Sequence, residues 1–376
     1  MKILVVSPYP ILPALHGSRV RTARLAAAMA RANAQVALLC PWYPGQPRNG
    51  RIANAFTCRS HFRISNLLPI TLPWLAAPLA LLSFQPLSRR QARGLEEFDV
   101  VQFDFCAHAR WMDLVPRHAK IVYSAHNVER DFCAGDAGSY LLSELSLRRI
   151  EHLESLAVAR SDLVVACTDA DVKRLETLYG AIARAIVVPN GCDRSLLDLD
   201  WPRLRASARA ALGVAEGDRA LLFIGGPAAH NREAVEFLLE GLLPQLDRRS
   251  RLLIVGQCSR GASVVANGRA RLFGYVDDLR PFLAAADVAL NPVDRGSGSS
   301  VKLLDYLAAG VPVVSTRVGV RGFGAPPAGV QVAERPEFAD ALRLPLDVTP
   351  DRGALDALTW DHLGGALVRE YERIRA

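Results

Sequence analysis

The residues best suited to chemistry lie late in the chain. Arg295-Gly296-Ser297-Gly298-Ser299-Ser300 follows a short apolar run and opens a helical pattern at Val301. Two glycines allow close backbone approach. Serine hydroxyls and the free N–H groups of a helix start can cradle a diphosphate. Lys302 adds a cation, and Asp305, three residues on, falls on the same helical face. A carboxylate there can grip the diol of a ribose. The stretch reads G-x-G-x-x-V, one residue short of a dinucleotide fingerprint and late in the chain for one. An earlier loop, residues 8–18, brings Gly17 and Ser18 to another helix start, again suited to an anion. Arg19, Arg21 and Arg24 follow at spacings that no single helix face can hold, so one or two of them would face a ligand.

Two further patterns have ordinary explanations. Asp169-Ala170-Asp171 and Asp198-Leu199-Asp200 both match D-x-D, a metal-binding pattern. About one such pair is expected by chance, and Asp169 stands where a helix starts, so capping accounts for it. Seven widely spaced cysteines, without C-x-x-C, argue against a structural zinc and a disulfide framework. The chain is expected to need no metal and no other cofactor.

These loops need rigid elements to hold them. Apolar, β-branched runs at 3–7, 35–40, 100–103, 121–124, 163–167 and 186–189 alternate with helical patterns at 19–31, 141–159 and 169–179. The pattern restarts with strands at 220–224, 252–255, 271–273, 288–290 and 312–315, and helices near 232–243, 277–285 and 301–309. Such alternation predicts an α/β fold with parallel sheets covered on both faces. The expected organisation is two doubly wound domains, 1–190 and 191–355, and a terminal segment, 356–376, whose helix packs back on the first. The joint is a turn cluster around Pro189-Asn190-Gly191. Ligands in such sheets bind at the carboxyl ends of strands, and the two sheets are expected to face each other across a cleft.

Charge is unevenly spread. The net charge of +7 in 376 residues conceals a first quarter, 1–95, with 12 Lys/Arg and no Asp or Glu. That leaves 33 basic and 38 acidic residues elsewhere. A basic end implies an anionic partner. No stacking-aromatic pattern accompanies the arginines, which disfavours nucleic acid. Residues 64–88 carry no formal charge, but Pro69, Pro73, Pro78 and Pro86 break the run. Each interior proline costs a helix about 3 kcal/mol, so an interfacial or core segment is expected rather than a span. The apolar stretch after Lys2 is too short for a secretory signal, and with the scattered cysteines a reduced, cytoplasmic setting is expected.

Six blocks then appear in one order across most of the chain: MKILVVSPYPILPALHGSRVRTARLAAAMA, SAHNVE, VVPNGCD, FIGGPAAHNREAVEFL, GYVDDLRPFLAAADVALNP and GSGSSVKLLDYLAAGVPVVST. Together they resemble the GT-B glycosyltransferases, family 4 in particular, a retaining group that uses nucleotide-sugars. The resemblance implies two Rossmann-like domains, the first taking the acceptor and the second the nucleotide-sugar. Asp305 matches the last acid of the family's E-x7-E signature, which holds the ribose. The first acid of that signature falls at Ser297, a departure at the position that contacts the donor sugar. Gly225 and Gly226 open a loop where the family often carries an Arg…Lys pair on the diphosphate. That pair is missing here, which shifts the task to Lys302 and to Ser297, Gly298, Ser299 and Ser300. Tyr275 and Val276 fall where the backbone meets the nucleobase. His126 ends a strand where the family places a histidine near the transferred sugar, and Glu129 is a weaker candidate for an acceptor contact.

The implied activity is transfer of a sugar from a nucleoside-diphosphate donor to a glycan or lipid-diphosphate-linked acceptor, in bacterial surface polysaccharide or glycoconjugate assembly. The basic first quarter would dock peripherally on the anionic inner face of the cytoplasmic membrane. Two alternatives stay open. One is a sugar-nucleotide epimerase of the same fold. The other is a protein that binds nucleotide-sugars without turnover, which Ser297 and the missing Arg…Lys pair would suit.

Overall fold

The computed structural model describes residues 1–11, 17–41, 49–52, 56–61, 75–83, 93–135, 141–259, 268–295, 300–343, 346 and 349–376. They form two compact units, Met1–Pro189 with Trp360–Ala376, and Asn190–Thr359.

The first unit is built on eight strands: β1 (Lys2–Val6), β2 (Gln35–Pro41), β3 (Asn49–Ile52), β4 (Phe56–His61), β5 (Val100–Asp104), β6 (Lys120–Ala125), β7 (Leu163–Ala166) and β8 (Ala185–Val187). Their order in the sheet is β3-β4-β2-β1-β5-β6-β7-β8. All pairs are parallel except β3 with β4 at one edge. β1, β5 and β7 have almost no exposed residue, as apolar runs covered on both faces require. The chain leaves β1 toward β2 on one side and returns at β5 on the other, so the strand order reverses between β1 and β5. That crevice is the switch point of this sheet.

Two features of this unit narrow the sequence expectations. Arg21 is not a ligand-facing side chain. It is 1% exposed, and its guanidinium donates to the carbonyls of Val188 at 2.6 Å and Pro189 at 2.9 Å. The described part of the charge-free run, 75–83, lies in the protein core rather than at an interface. Ala77, Ala80 and Leu82 of the helix Pro78–Leu82 and its approach are buried, and Ala77 N–H donates to Ser146 Oγ at 3.0 Å. Most of the rest of that run lies outside the described residues. Among the described residues no helix is long and apolar enough to cross a membrane.

The second unit has six strands, all parallel: β9 (Arg219–Ile224), β10 (Ser250–Val255), β11 (Ala270–Phe273), β12 (Val288–Asn291), β13 (Val313–Ser315) and β14 (Val330–Val332). Their order is β11-β10-β9-β12-β13-β14, which puts the switch point between β9 and β12. The helix Val301–Ala308 follows β12 and buries Leu303, Leu304, Tyr306 and Leu307 against the sheet. The N-terminal end of this helix, with Lys302 in its first turn, thereby lies at the carboxyl ends of the strands.

The D-x-D pairs have structural roles. Thr168, not Asp169, caps the helix Asp169–Tyr179, its Oγ1 accepting from Asp171 N–H at 2.9 Å. Asp169 and Asp171 occupy the first turn, where negative charge meets the positive end of the helix dipole. Asp200 caps the helix Trp201–Ala211, and Asp198 pairs with Arg194 at 3.5 Å.

Candidate active site

In the first unit the switch point collects buried polar groups. Asp104 closes β5 and is 2% exposed. Its Oδ2 accepts from Thr22 Oγ1 at 2.5 Å and lies 3.2 Å from His126 Nε2, while its Oδ1 accepts from Gln102 Nε2 at 2.6 Å. Gln102 in turn accepts from the Tyr371 hydroxyl at 2.5 Å. Burial alone would push the Asp104 carboxyl up, but His126, Thr22 and Gln102 together hold it below the usual carboxylate range. Burial pushes the His126 imidazole below its usual range despite Asp104, and the charge of Arg21 acts the same way.

Burial thus favours the neutral imidazole of His126, and Nε2 is the ring nitrogen that faces Asp104. Its Nδ1 is buried and has no hydrogen-bond partner. Phe105 stacks on its ring, centroids 4.3 Å apart, and does so from a left-handed backbone with φ of 66°. A bulky residue in that region is strained, and such strain collects at functional sites. Gln102, Asp104 and Tyr371 were not found from sequence. The signal available was a polar alternation inside the apolar run VVQFD.

Glu129 sits behind this cluster at the start of the helix Glu129–Gly135. It is 1% exposed, and its neighbour Glu154 is fully buried. Glu154 accepts from the Glu129 and Arg130 backbone N–H groups and from the Tyr123 and Tyr179 hydroxyls, so it caps this helix from the side. Glu129 accepts from Asn127 Nδ2 at 3.1 Å. Burial, then repulsion from Glu154, pushes its carboxyl up to about 8. A carboxyl raised in this way favours the fold while protonated, and that stability is lost as pH rises from its unfolded value toward 8. Glu129→Gln should therefore leave the melting temperature near wild type at pH 5 and raise it at pH 8.5, by a few kcal/mol of stability. Equal shifts at both pH values would contradict the assignment.

In the second unit, the loops after β9 and β12 meet at the switch point. Lys302 is partly buried; its Nζ donates to Asn231 Oδ1 at 3.0 Å and lies 4.2 Å from the centre of the Phe223 ring. Burial, with the charge of Arg321 adding to it, lowers its ammonium to about 7. His230 is lowered to about 4 by burial and by the positive charge of Lys302, Arg321 and Arg295. This electropositive corner was seen only in part from sequence, because His230, in the helix Ala229–Glu236, and Arg321 come from segments distant in the chain from Lys302.

The remaining expected residues separate. Ser300 is the N-cap of Val301–Ala308, and its Oγ is buried without a partner among the described residues. Ser297, Gly298 and Ser299 lie outside the described residues. Asp305 is three residues from Lys302, and its charge raises the Cys192 thiol and the Tyr306 hydroxyl. Gly225 is a packing position and offers no free N–H to an anion. That group donates to the Val255 carbonyl at 2.9 Å, and a Cβ would meet Cys258 Sγ at 2.9 Å. Gly226 is half-buried in the same loop. Arg232, the nearest substitute for the missing pair, donates to the Pro227 carbonyl of its own loop. Tyr275 is 55% exposed, and Val276 packs partly on the core of the unit. In the first unit, Gly17 is exposed and opens the helix Gly17–Arg31.

Residues 15–196 match the profile described as Glycosyltransferase Family 4, and residues 218–346 match that of Glycosyl transferases group 1. The chain resembles the family 4 glycosyltransferases in both units. A curated relative of this family resemblance, a D-inositol 3-phosphate glycosyltransferase of Geodermatophilus obscurus, is 33% identical over 187 residues, 44% of this chain and 40% of that protein. The match thus spans about two fifths of that relative's length. Another, from Jonesia denitrificans, is 27% identical over 326 residues, 77% of this chain and 75% of that protein. Among solved structures, sucrose-phosphate synthase from Thermosynechococcus elongatus superposes with a TM-score of 0.69 at 16% identity, over 100% of this chain and 96% of that one. HepE of Anabaena in complex with UDP gives 0.63 at 15% identity, over 100% and 97%. At these identities the likeness is one of fold, and the fold is GT-B.

Proposed function

We propose that this protein transfers a sugar from a nucleoside-diphosphate donor to a glycan or lipid-linked acceptor, with retention at the anomeric carbon, in the assembly of a bacterial surface glycan. One observation carries the reading: Lys302, held by Asn231 and Phe223 at the switch point of the second unit with its ammonium lowered to about 7. A buried lysine in that state gains most from an anion that restores its charge. The relatives' names point the same way, and HepE was also solved with UDP-glucose.

In the proposed reaction the bond from the anomeric carbon to the donor phosphate breaks, and its electron pair leaves with the diphosphate. Lys302 and the N-terminus of the helix Val301–Ala308 stabilise that developing charge, in the way that usually contributes most to catalysis. The acceptor oxygen forms the new bond on the same face and passes its proton to a phosphate oxygen of the leaving group. Charge neutralisation by these groups requires no metal. The basic first quarter suits an acceptor carried on an anionic membrane surface, which the protein would reach by peripheral docking.

The test is a panel of nucleotides and nucleotide-sugars in thermal-shift assays, since a ligand of the folded state raises the melting temperature. The best donor is then incubated with lipid-linked acceptors and nucleoside-diphosphate release is measured. Acceptor-dependent release is expected. Binding without release identifies a protein without turnover, which Ser297 in place of the usual acid would explain. Conversion of the donor without acceptor identifies an epimerase.

A further inference from the structure

The cluster around His126 extends, through buried groups only, to the last helix of the chain. The Tyr371 hydroxyl, 0% exposed on Trp360–Arg375, donates to Gln102 Oε1. This pins the Gln102 amide with its Nε2 toward Asp104 Oδ1. Asp104 thereby has one oxygen saturated by Gln102, and its other receives Thr22 and His126. An ionised carboxylate only accepts, so the imidazole nitrogen facing it must carry the proton. Phe105, stacked on the ring, fixes the plane in which that bond is made. What remains is Nδ1, buried and without a partner. Buried polar atoms are nearly always paired, so an orphan beside a strained aromatic calls for a ligand group.

We infer that Asp104, Gln102 and Tyr371 are positioning residues that hold His126 as a single tautomer, Nε2–H toward Asp104, so that Nδ1 accepts a hydrogen bond from a substrate hydroxyl. The inference rests on the glycosyl-transfer reading for the identity of that hydroxyl, but not for the tautomer. It gives the terminal helix a role besides packing: the hydroxyl of Tyr371 orders an amide 269 residues away in sequence. Thr22 contributes from a third element, so three elements of the first unit converge on the imidazole that follows β6.

The full-length protein, labelled with nitrogen-15 at histidine, is examined by long-range proton–nitrogen NMR at neutral pH without ligand. Wild type should show His126 with Nε2 protonated and Nδ1 bare. In Asp104→Asn the amide can donate to Nε2, so the Nδ1–H tautomer should become dominant. Tyr371→Phe removes one oxygen and leaves the helix anchored by Trp360, Leu363 and Leu367, all buried. It should introduce a detectable second tautomer in a protein that melts cooperatively. An Nδ1–H tautomer in wild type overturns the inference. So does an unchanged tautomer in a folded Asp104→Asn protein. In a transfer assay, Asp104→Asn should lower kcat on the order of 100-fold, with KM for the nucleotide-sugar unchanged. A loss confined to KM would also overturn it. The NMR result needs no substrate, so failure of the protein to transfer sugar leaves the tautomer assignment standing and points instead at the proposed function.

Discussion

Lys302→Met is expected to lower nucleoside-diphosphate release by about 100- to 1,000-fold, the usual cost of losing one group that stabilises charge in the transition state. Methionine keeps most of the apolar stem but carries no charge and lacks the ammonium that lies over the Phe223 ring. The binding of the diphosphate should change in a characteristic way. In the free protein the Lys302 ammonium has been lowered to about 7, chiefly by burial. A bound diphosphate favours the charged form, so binding above pH 7 must take up a proton. Wild-type affinity should therefore weaken as pH rises above 7, by up to about tenfold per pH unit, until the pKa of the complex is reached. Lys302→Met should bind more weakly at pH 7 and lose that part of the pH dependence. Isothermal titration in two buffers of different ionisation enthalpy measures the proton directly. Proton uptake that survives in the variant would assign it to another group.

Gly364→Ala and Gly365→Ala should have opposite effects on stability, although the two positions are adjacent in one helix. A Cβ on Gly364 would lie 2.4 Å from Ala28 Cβ, 2.8 Å from Ala28 C and 2.9 Å from Met29 N. The obstacle includes backbone of the helix Gly17–Arg31, which cannot swing aside as a side chain can. Alanine gains up to about 1 kcal/mol over glycine in helix propensity. Overpacking of this kind costs about 1–3 kcal/mol, and the backbone contact puts it at the upper end, so the steric term wins at Gly364. At Gly365 a Cβ would meet only the end of the Arg369 side chain, at 3.4 Å, and the propensity gain should survive. Thermal melts of the two variants decide this. A Gly364→Ala protein as stable as wild type would mean that the two helices are not in the close approach described.

Much of the architecture was legible in local pattern. Strands covered on both faces read as unbroken apolar runs, and the periods of helix and strand are properties of neighbouring residues. β3, β4 and β14 were not anticipated. NGRI, FTCRSH and VQV are short, and all three mix polar with apolar residues. They are strands because a sheet edge offers them backbone partners, and no local sequence states that. The Lys302 corner was legible by the spacing of glycine, serine and lysine before a helix. Its neighbours His230 and Arg321 were not, since they meet Lys302 only after segments distant in the chain fold together.

The alternation of strand and helix in two units, the cation at a helix start and the histidine at a strand end were determined by the sequence itself. Each depends on residues within one turn or one strand of each other. Tertiary structure alone decided which polar groups are partners. Arg21 reads as a surface arginine until its guanidinium is placed on the carbonyls of Val188 and Pro189. Asp104 reads as the end of a strand until Thr22, Gln102 and His126 are seen to converge on it. Gly364 and Gly365 are equivalent in any helical pattern, and only the backbone at Ala28 separates them. The physical reason is common to all three. A buried polar atom or a close approach is defined by what lies across the fold from it, and that partner can stand more than 150 residues away.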